Sequence, residues 1–316
     1  MAKMIKTGLI GCGKISKGQI AAIAALDDAC ITAVCDTSDE RLAAICEETG
    51  ARGYKDYKEL LDKEELDLVI ISLPHFLHGE ATCYAAERGI DVFLEKPMGI
   101  SVEDCEKMIE TCKRCGVMLW VGHPHRYVDS YRRAKELVLS GELGEPVCFS
   151  ETRNVDYFAD SRPRWFLKKE LSGGGIMINL GAHCLDKMKF LFDSEIESIS
   201  GNVHIREGFD VEDNVQAFVR MKNGGYGTIN LVGATAAHMN PTVLYLTKGE
   251  IRINTGSLEY CGEDGIFKRE EHPGSGMKNQ IADVIRVMHT SDKKPVVTGE
   301  YGLDIIRAIK TLYGEI

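Results

Sequence analysis

Residues 8–16 read GLIGCGKIS. They follow a short apolar run, MIKTGLI (4–10), and they open a helical pattern, GKISKGQIAAIAAL (13–26). Gly11, Gly13 and Ser16 therefore fit G-x-G-x-x-small at a strand-to-helix junction. The first glycine permits a tight turn, the second leaves the backbone open to close approach, and the third position must be small for helix and strand to pack. Phosphates sit well on the free N–H groups of such a helix start, which brings Lys14, Ile15 and Ser16 into the candidate loop.

The surrounding pattern agrees. CITAVCD (30–36) reads as a second strand and residues 39–49 as a helix that Gly50 can close. LDLVIISLP (66–74) and IDVFLEKP (90–97) are near-continuous apolar runs, as expected of parallel strands buried on both faces. HGEATCYAAERG (78–89) lies between them as a helix ending at Gly89, SVED (101–104) reads as a capping box, and VMLWVG (117–122) as a sixth strand. This alternation predicts an α/β fold, a doubly wound parallel Rossmann sheet over 1–122. The pattern changes after Gly122. An amphipathic helix in YRRAKELVLSGELGEP (131–146) precedes strand-like segments such as IESISGNVHI (196–205) and NVQAFVRM (214–221), separated by turn signals such as KNGG (222–225). Residues 123–316 are thus expected to form one α+β domain on an antiparallel sheet, ending in helices over 277–289 and 301–313.

Asp36 ends the second strand, 23 residues after Gly13. A carboxylate there accepts bonds from the adenine ribose hydroxyls and repels a 2′-phosphate. Thr37, Ser38 and Asp39 follow it, and no arginine does so directly. The reading favours NAD as cofactor over NADP.

Composition bounds the remaining possibilities. The chain has 316 residues, enough for two domains, and a net charge of −10, which argues against nucleic acid and against an anionic membrane surface. No run of about 18 apolar residues predicts a transmembrane helix. The cysteines number 11, odd and irregularly spaced, which points to free thiols in a reducing cytoplasm. Cys112 and Cys115 have metal-ligand spacing, with His123 and His125 downstream. However, Cys105, Met108, Ile109 and Cys112 form one helical stripe and no second C-x-x-C accompanies them, so no metal is expected. Cys12 is expected to be a buried, unreactive thiol. His238 and His272 read as solvated loop residues.

FLEKPMG (93–99) follows the next buried strand. The glycine loop, Asp36 and Glu95-Lys96-Pro97 together resemble the Gfo/Idh/MocA oxidoreductases. ISLPHFLH (71–78), with Pro74 and His78, VGHPHRY (121–127), with Arg126, SRPRWFLKKELSGGGIMINLGAHCLD (161–186) and KPVVTGEYGLDIIRAI (294–309) are similar to further motifs of that family. The resemblance implies a Rossmann domain followed by a large open antiparallel sheet, with substrate bound between the two beside the nicotinamide. It implies cofactor contacts at Leu73, Pro74, His78, Glu95 and Lys96, and a C-terminal helix that docks on the first domain. It also implies a homodimer or homotetramer formed through the sheet.

Lys96 stands at the carboxyl end of a parallel strand, where ligands of such sheets bind. Burial beside a cationic nicotinamide is expected to lower its pKa, and it can stabilise a developing alkoxide. Asn179 and His183 are four residues apart, which on a regular helix puts both on one face, with Gly173-Gly174-Gly175 letting that helix start close to a ligand. His183 is then the expected general base. Asn179 departs from the family's usual Asp, which leaves Lys96 and His183 as the acid–base pair. Leu73 and His75 stand where the family often has Thr and Asn. Tyr157, Arg162, Arg164 and Trp165, with His123, His125 and Arg126 of the linker motif, are candidates for a polar, carbohydrate-like substrate, particularly one with a carboxylate or phosphate. The expected activity is NAD-dependent oxidation or reduction at a secondary hydroxyl of a sugar, inositol or sugar acid. The alternatives are transient oxidation with no net redox change, ending in glycoside cleavage or epimerisation, and a non-catalytic NAD- and sugar-binding regulator.

Overall fold

The computed structural model describes residues 3–235, 240–290 and 294–316, so His238 lies outside the described residues. The chain begins β1 (Ile5–Ile10), α1 (Ser16–Ala24), β2 (Ala29–Cys35), α2 (Asp39–Thr49), β3 (Arg52–Tyr54), α3 (Tyr57–Lys63), β4 (Leu68–Ile71), α4 (His78–Ala86), β5 (Asp91–Glu95), α5 (Val102–Cys115) and β6 (Leu119–Gly122). There follow α6 (Asp129–Ser140), β7 (Pro146–Asn154), α7 (Lys169–Ser172), α8 (Ala182–Phe192), β8 (Ile196–Ile205), β9 (Glu212–Met221) and β10 (Tyr226–Val232). The last elements are β11 (Thr242–Leu246), β12 (Gly249–Asn254), β13 (Ser257–Cys261), β14 (Lys268–Glu271), α9 (Gly276–Met288) and α10 (Gly299–Leu312).

Two compact units result. One joins Met1–Gly122 to Met277–Leu303, and the other joins His123–Gly276 to Asp304–Ile316. In the first unit six parallel strands run in the order β3-β2-β1-β4-β5-β6. Every position of β4 and β5 is buried, which explains their unbroken apolar sequence. The Ser101 side chain caps α5 by accepting the Asp104 N–H at 3.1 Å, and Gly116 closes that helix in the left-handed region. Cys105, Met108, Ile109 and Cys112 are buried along its inner stripe.

The expected single span 123–316 is corrected here. Residues 277–303 return to the first unit, whereas the last helix belongs to the second from Asp304 onward. Ile281, Val284, Ile285 and Met288 of α9 join a core with Ile5, Leu9, Ile20, Ile23 and Val34, and the Val121 N–H donates to the Val297 carbonyl at 3.1 Å. An amphipathic pattern reveals which face of a helix is buried but carries no address for the surface it meets.

In the second unit eight strands run β14-β13-β12-β11-β7-β10-β9-β8. All neighbours are antiparallel except β7 and β10, which pair in parallel because β10 returns to β7 only after α8 and the β8–β9 hairpin have intervened. The inner face is covered by α8: a methyl group on Gly227 would lie 3.1 Å from Met188 Cε, and one on Gly225 2.1 Å from the Phe192 ring. The outer face leaves the aromatic rings of Phe218, Tyr226 and Tyr245 exposed. All 11 cysteines are free, and among the described residues no helix is long and apolar enough to cross a membrane. His272 is a loop residue, but only partly solvated. It follows β14, is half-buried, and places Nε2 2.9 Å from the Glu270 carboxylate.

Candidate active site

The glycine loop separates two roles that sequence alone merges. Gly11 adopts φ +98°, and a Cβ there would lie 2.5 Å from the Ser72 carbonyl oxygen, so its side is filled by the chain itself. Gly13 has nothing within 4 Å of its missing Cβ and leaves the open side that a pyrophosphate needs. Ser16 is buried and its hydroxyl donates to the Gly13 carbonyl at 2.6 Å, which fixes the turn. No side chain caps the start of α1, and Lys14 and Ile15 are exposed beside it. The cradle thus fits a dinucleotide. Burial, followed by the neighbouring Asp36 charge, pushes the Cys12 thiol up to about 12, which makes it unreactive at neutral pH.

Asp36 lies at the end of β2 with its carboxylate almost fully buried. Its Oδ2 accepts the Cys12 N–H at 2.8 Å and Arg41 Nε at 3.3 Å; its Oδ1 accepts the Ser38 N–H at 2.8 Å and Arg41 Nη2 at 2.8 Å. Burial alone would raise this carboxyl, but the bonds from Arg41, Ser38 and Cys12 outweigh it and hold it below its ordinary value. Arg41 escaped the sequence reading because it stands five residues beyond Asp36, in the first turn of α2.

The loops after β4 and β5 end on the same carboxyl edge of the parallel sheet as Gly11 and Asp36. His78 is completely buried, with Nε2 2.8 Å from the Leu73 carbonyl and Nδ1 3.0 Å from the Pro97 carbonyl. It therefore clamps the Leu73-Pro74 loop to the Lys96-Pro97 loop, whose joining peptide is cis. Burial lowers its pKa against the pull of both carbonyls. Lys96 is half-buried, and His75 is buried near His78, with ring centroids 5.8 Å apart.

Glu95 is anchored from behind. It accepts from Gln19 Nε2 at 2.8 Å, and Gln19 Oε1 in turn accepts the Ser72 hydroxyl at 2.9 Å. Gln19 was missed because a polar residue in an amphipathic helix carries no signal of its partner. Burial pushes the Glu95 carboxyl up from 4.5 to about 7, with Lys96 and Gln19 pulling the other way. Between those values the folded chain keeps a proton that the unfolded chain has released, so stability falls as pH rises through that window. Glu95→Gln should therefore flatten the loss between about pH 5 and pH 8. At the upper end it should be the more stable protein by about 1–3 kcal/mol in denaturant unfolding. Parallel pH profiles for parent and variant would refute this.

In the second unit, Gly173 ends α7 in the left-handed region. The next two glycines are required by the chain itself. A Cβ on Gly174 would lie 2.4 Å from the Tyr313 hydroxyl, and one on Gly175 2.0 Å from the Glu212 carbonyl oxygen. The buried Glu212 carboxylate accepts the Gly175 N–H at 2.7 Å and the Met177 N–H at 2.8 Å, and it also takes the Tyr313 hydroxyl. It thus caps the segment that carries Asn179.

That segment is a π turn, Met177–Gly181, which runs directly into α8. The Ala182 N–H reaches back five residues to the Met177 carbonyl. Asn179 lies in this turn and His183, four residues on, in the first turn of α8. Both are buried, at 7% and 9% exposure. Tyr157, fully buried, lies beside Asn179, and the Arg162 guanidinium covers its ring at 4.1 Å. The His183 ring meets His125 edge-on at 4.6 Å between centroids and His123 at 6.5 Å. The Arg126 side chain is only 9% exposed and donates through Nη2 and Nε to Asp186 at 2.7 and 3.2 Å, which fastens the linker turn to α8. Trp165 stacks on Phe166 at 3.8 Å, and Arg164 is exposed on the same short turn.

Behind His183 lies a buried network that the sequence did not announce. Lys187 donates to Glu151 at 2.7 Å and stands 3.5 Å from the Thr242 hydroxyl, which is 2.8 Å from the Tyr131 hydroxyl. His125 packs on the Tyr131 ring at 5.9 Å.

Comparison with known proteins agrees with this geometry. Residues 5–123 match the oxidoreductase family with an NAD-binding Rossmann fold, and residues 131–252 match the GFO/IDH/MocA C-terminal domain. The 2,7-anhydro-N-acetylneuraminate hydratase of Mediterraneibacter gnavus is 31% identical, over 85% of this chain and 70% of that protein. The myo-inositol 2-dehydrogenase of Thermotoga maritima is 27% identical, over 72% of this chain and 68% of its own length. The WlbA dehydrogenase of Bordetella pertussis, solved with NADH and UDP-GlcNAcA, superposes with a TM-score of 0.88 at 26% identity, over 99% of this chain and 95% of its own. The chain is an NAD-binding enzyme of the GFO/IDH/MocA oxidoreductase family.

Proposed function

We propose that this oxidoreductase moves a hydride between NAD and a secondary hydroxyl or ketone of a sugar, inositol or sugar acid, with Lys96 and His183 as its acid–base pair. The observation that carries this reading is the place of Lys96. It follows β5 on the sheet edge where the open Gly13 turn and Asp36 also lie. When bound, NAD supplies the hydride chemistry. Gly11, Gly13, Lys14, Ile15 and Ser16 would hold its pyrophosphate, and Asp36 its adenosine ribose. Leu73, Pro74 and His78 would shape the nicotinamide side, and Glu95 would set the charge beside Lys96.

In alcohol oxidation Lys96 Nζ donates to the substrate oxygen and stabilises negative charge as the hydroxyl proton leaves. His183 takes up that proton, and in the reverse direction returns it. Asn179 has an amide, which orients a hydroxyl or the imidazole but transfers no proton. His123, Arg126, Arg164 and Trp165 are proposed to border the substrate, Arg126 doing so through the turn it fastens to Asp186. The test is a panel of sugars, inositols, uronic acids and sialic-type acids assayed with NAD and NADH at several pH values. No turnover with any of them, in either direction, would refute the reading.

One observation favours a second reading: the relative at 31% identity is named a hydratase. Oxidation would then be transient, with the hydride returned and no net NADH. Product that accumulates while NADH absorbance stays flat would establish it; matched rates would exclude it.

The exposed Phe218, Tyr226 and Tyr245 support a homodimer or homotetramer built on the outer sheet face. Tyr226→Glu together with Phe218→Glu is expected to convert the oligomer to monomer in light scattering. A parent that is already monomeric at micromolar concentration would refute this.

A further inference from the structure

An acid at the end of the second strand selects NAD by accepting from the ribose hydroxyls and repelling a 2′-phosphate. That argument assumes a carboxylate with free lone pairs and an uncompensated charge. Asp36 has neither. Each of its oxygens already accepts two donors, Ser38 N–H and Arg41 Nη2 on one, Cys12 N–H and Arg41 Nε on the other. A carboxylate offers about four acceptor sites, so all are in use. The negative charge is met by a bidentate guanidinium at 2.8 Å.

The carboxylate is 8% exposed and the Arg41 side chain 54%. The face of this pair that solvent, or a ligand, meets is therefore the cation. Two of the five guanidinium N–H groups bind Asp36, which leaves three for another acceptor. A second cation stands close by: Lys55 Nζ donates to the Thr37 carbonyl at 2.7 Å and to Asp39 at 2.8 Å, so the loop after β2 is bracketed by Arg41 and Lys55. Opposing these are Asp39 and Glu40 in the first turn of α2, Asp39 being already paired with Lys55. The neighbouring Cys12 thiol is held neutral and adds no charge.

We propose that Arg41 makes the adenosine end of this cofactor site tolerant of a 2′-phosphate, so that NADPH is bound alongside NADH. The planar fork suits phosphate, and its three remaining N–H groups can meet a 2′-phosphate while Nε and Nη2 still cover the Asp36 charge that would repel it. One arginine thus serves both cofactors, by staying on Asp36 for NADPH and by turning away for NADH, whose ribose hydroxyls then meet the acceptors it uncovers. The inference rests on the cofactor occupying the Gly11–Ser16 loop.

The test measures dissociation constants of NADH and NADPH from the enhancement of nucleotide fluorescence, using the full chain and its Arg41→Ala and Arg41→Lys variants. A charge-assisted fork is worth roughly 10- to 100-fold in affinity. The parent should bind NADPH within about 10-fold of NADH, and Arg41→Ala should raise the NADPH-to-NADH ratio at least about 10-fold while moving NADH less than about threefold. Arg41→Lys, which keeps the charge without the fork, should fall between them. A ratio unchanged in Arg41→Ala, or equal losses for both nucleotides, would overturn the proposal, since Arg41 would then only brace Asp36. The parent provides a check independent of folding: added salt should weaken NADPH more than NADH, and equal salt dependence would also overturn it. Failure of the parent to bind either nucleotide would instead remove the loop assignment on which the inference stands.

Discussion

Replacing Lys96 by methionine is expected to lower turnover on the order of 10²-fold or more while NADH binding changes less than about threefold, because an acid–base or oxyanion group contributes to the transition state rather than to cofactor affinity. Methionine keeps most of the side-chain volume and removes only the charge and the donors. The loops that shape the position stay in place, since His78 holds the Leu73 and Pro97 carbonyls independently of Lys96. The measurement is a pair of experiments on one preparation: initial rates on the best substrate of the panel, and a fluorescence titration with NADH. A variant that turned over within threefold of the parent would remove Lys96 from the chemistry. One that lost NADH in the same proportion would make it a cofactor ligand instead.

The second large effect concerns stability. Lys187 and Glu151 form an ion pair with side chains only 3% and 0% exposed. Burial pulls the Lys187 ammonium down, yet Glu151 and Tyr131 more than reverse that, and its pKa stands above the ordinary value. Removing one partner leaves the other charge buried without compensation. Lys187→Met is therefore expected to cost about 3–5 kcal/mol, read as a lower denaturant midpoint of the second unit. The double variant Lys187→Met with Glu151→Leu replaces both charges by apolar volume and should recover most of that loss. The comparison matters more than either number. If the double variant is no better than the single one, the loss arises from packing. If Lys187→Met costs less than about 1 kcal/mol, water reaches the pair and the network is not closed. The effect on activity should be secondary, through α8, on which Lys187 lies one turn beyond His183.

What could be read from sequence divides along a physical line. The turn at Gly11–Ser16, the buried strands β4 and β5, the cap at Ser101 and Asp36 at the end of β2 are local: each depends on residues within one turn or one strand. So does the placement of Lys96, because a parallel strand fixes which end its successor loop occupies. Features set by distant partners stayed hidden. Arg41 shows no sign in sequence that it turns back to Asp36. Glu212 and Tyr313 lie 37 and more residues from the glycines whose absence of side chains they require. The sequence around Gly174 and Gly175 therefore carries no sign that they make room for the chain. The π turn at Met177–Gly181 was invisible for another reason, since no residue pattern distinguishes it from an ordinary helical turn. The single parallel pair β7–β10 depends on strand order, which alternation does not encode.

The return of residues 277–303 to the first unit has a consequence for how the protein comes into being. The face formed by Ile5, Leu9, Ile20, Ile23 and Val34 is completed by Ile281, Val284 and Ile285. On the ribosome those two parts are separated by the whole of residues 123–276. At synthesis rates of about 5–20 residues per second, the early sheet waits roughly 10–30 seconds for its covering helix. The nucleotide-binding half therefore cannot finish first, although it is made first. It must hold an unfinished greasy surface while the second unit emerges, and during that interval a nascent chain is most exposed to chaperones and to its neighbours on the same message.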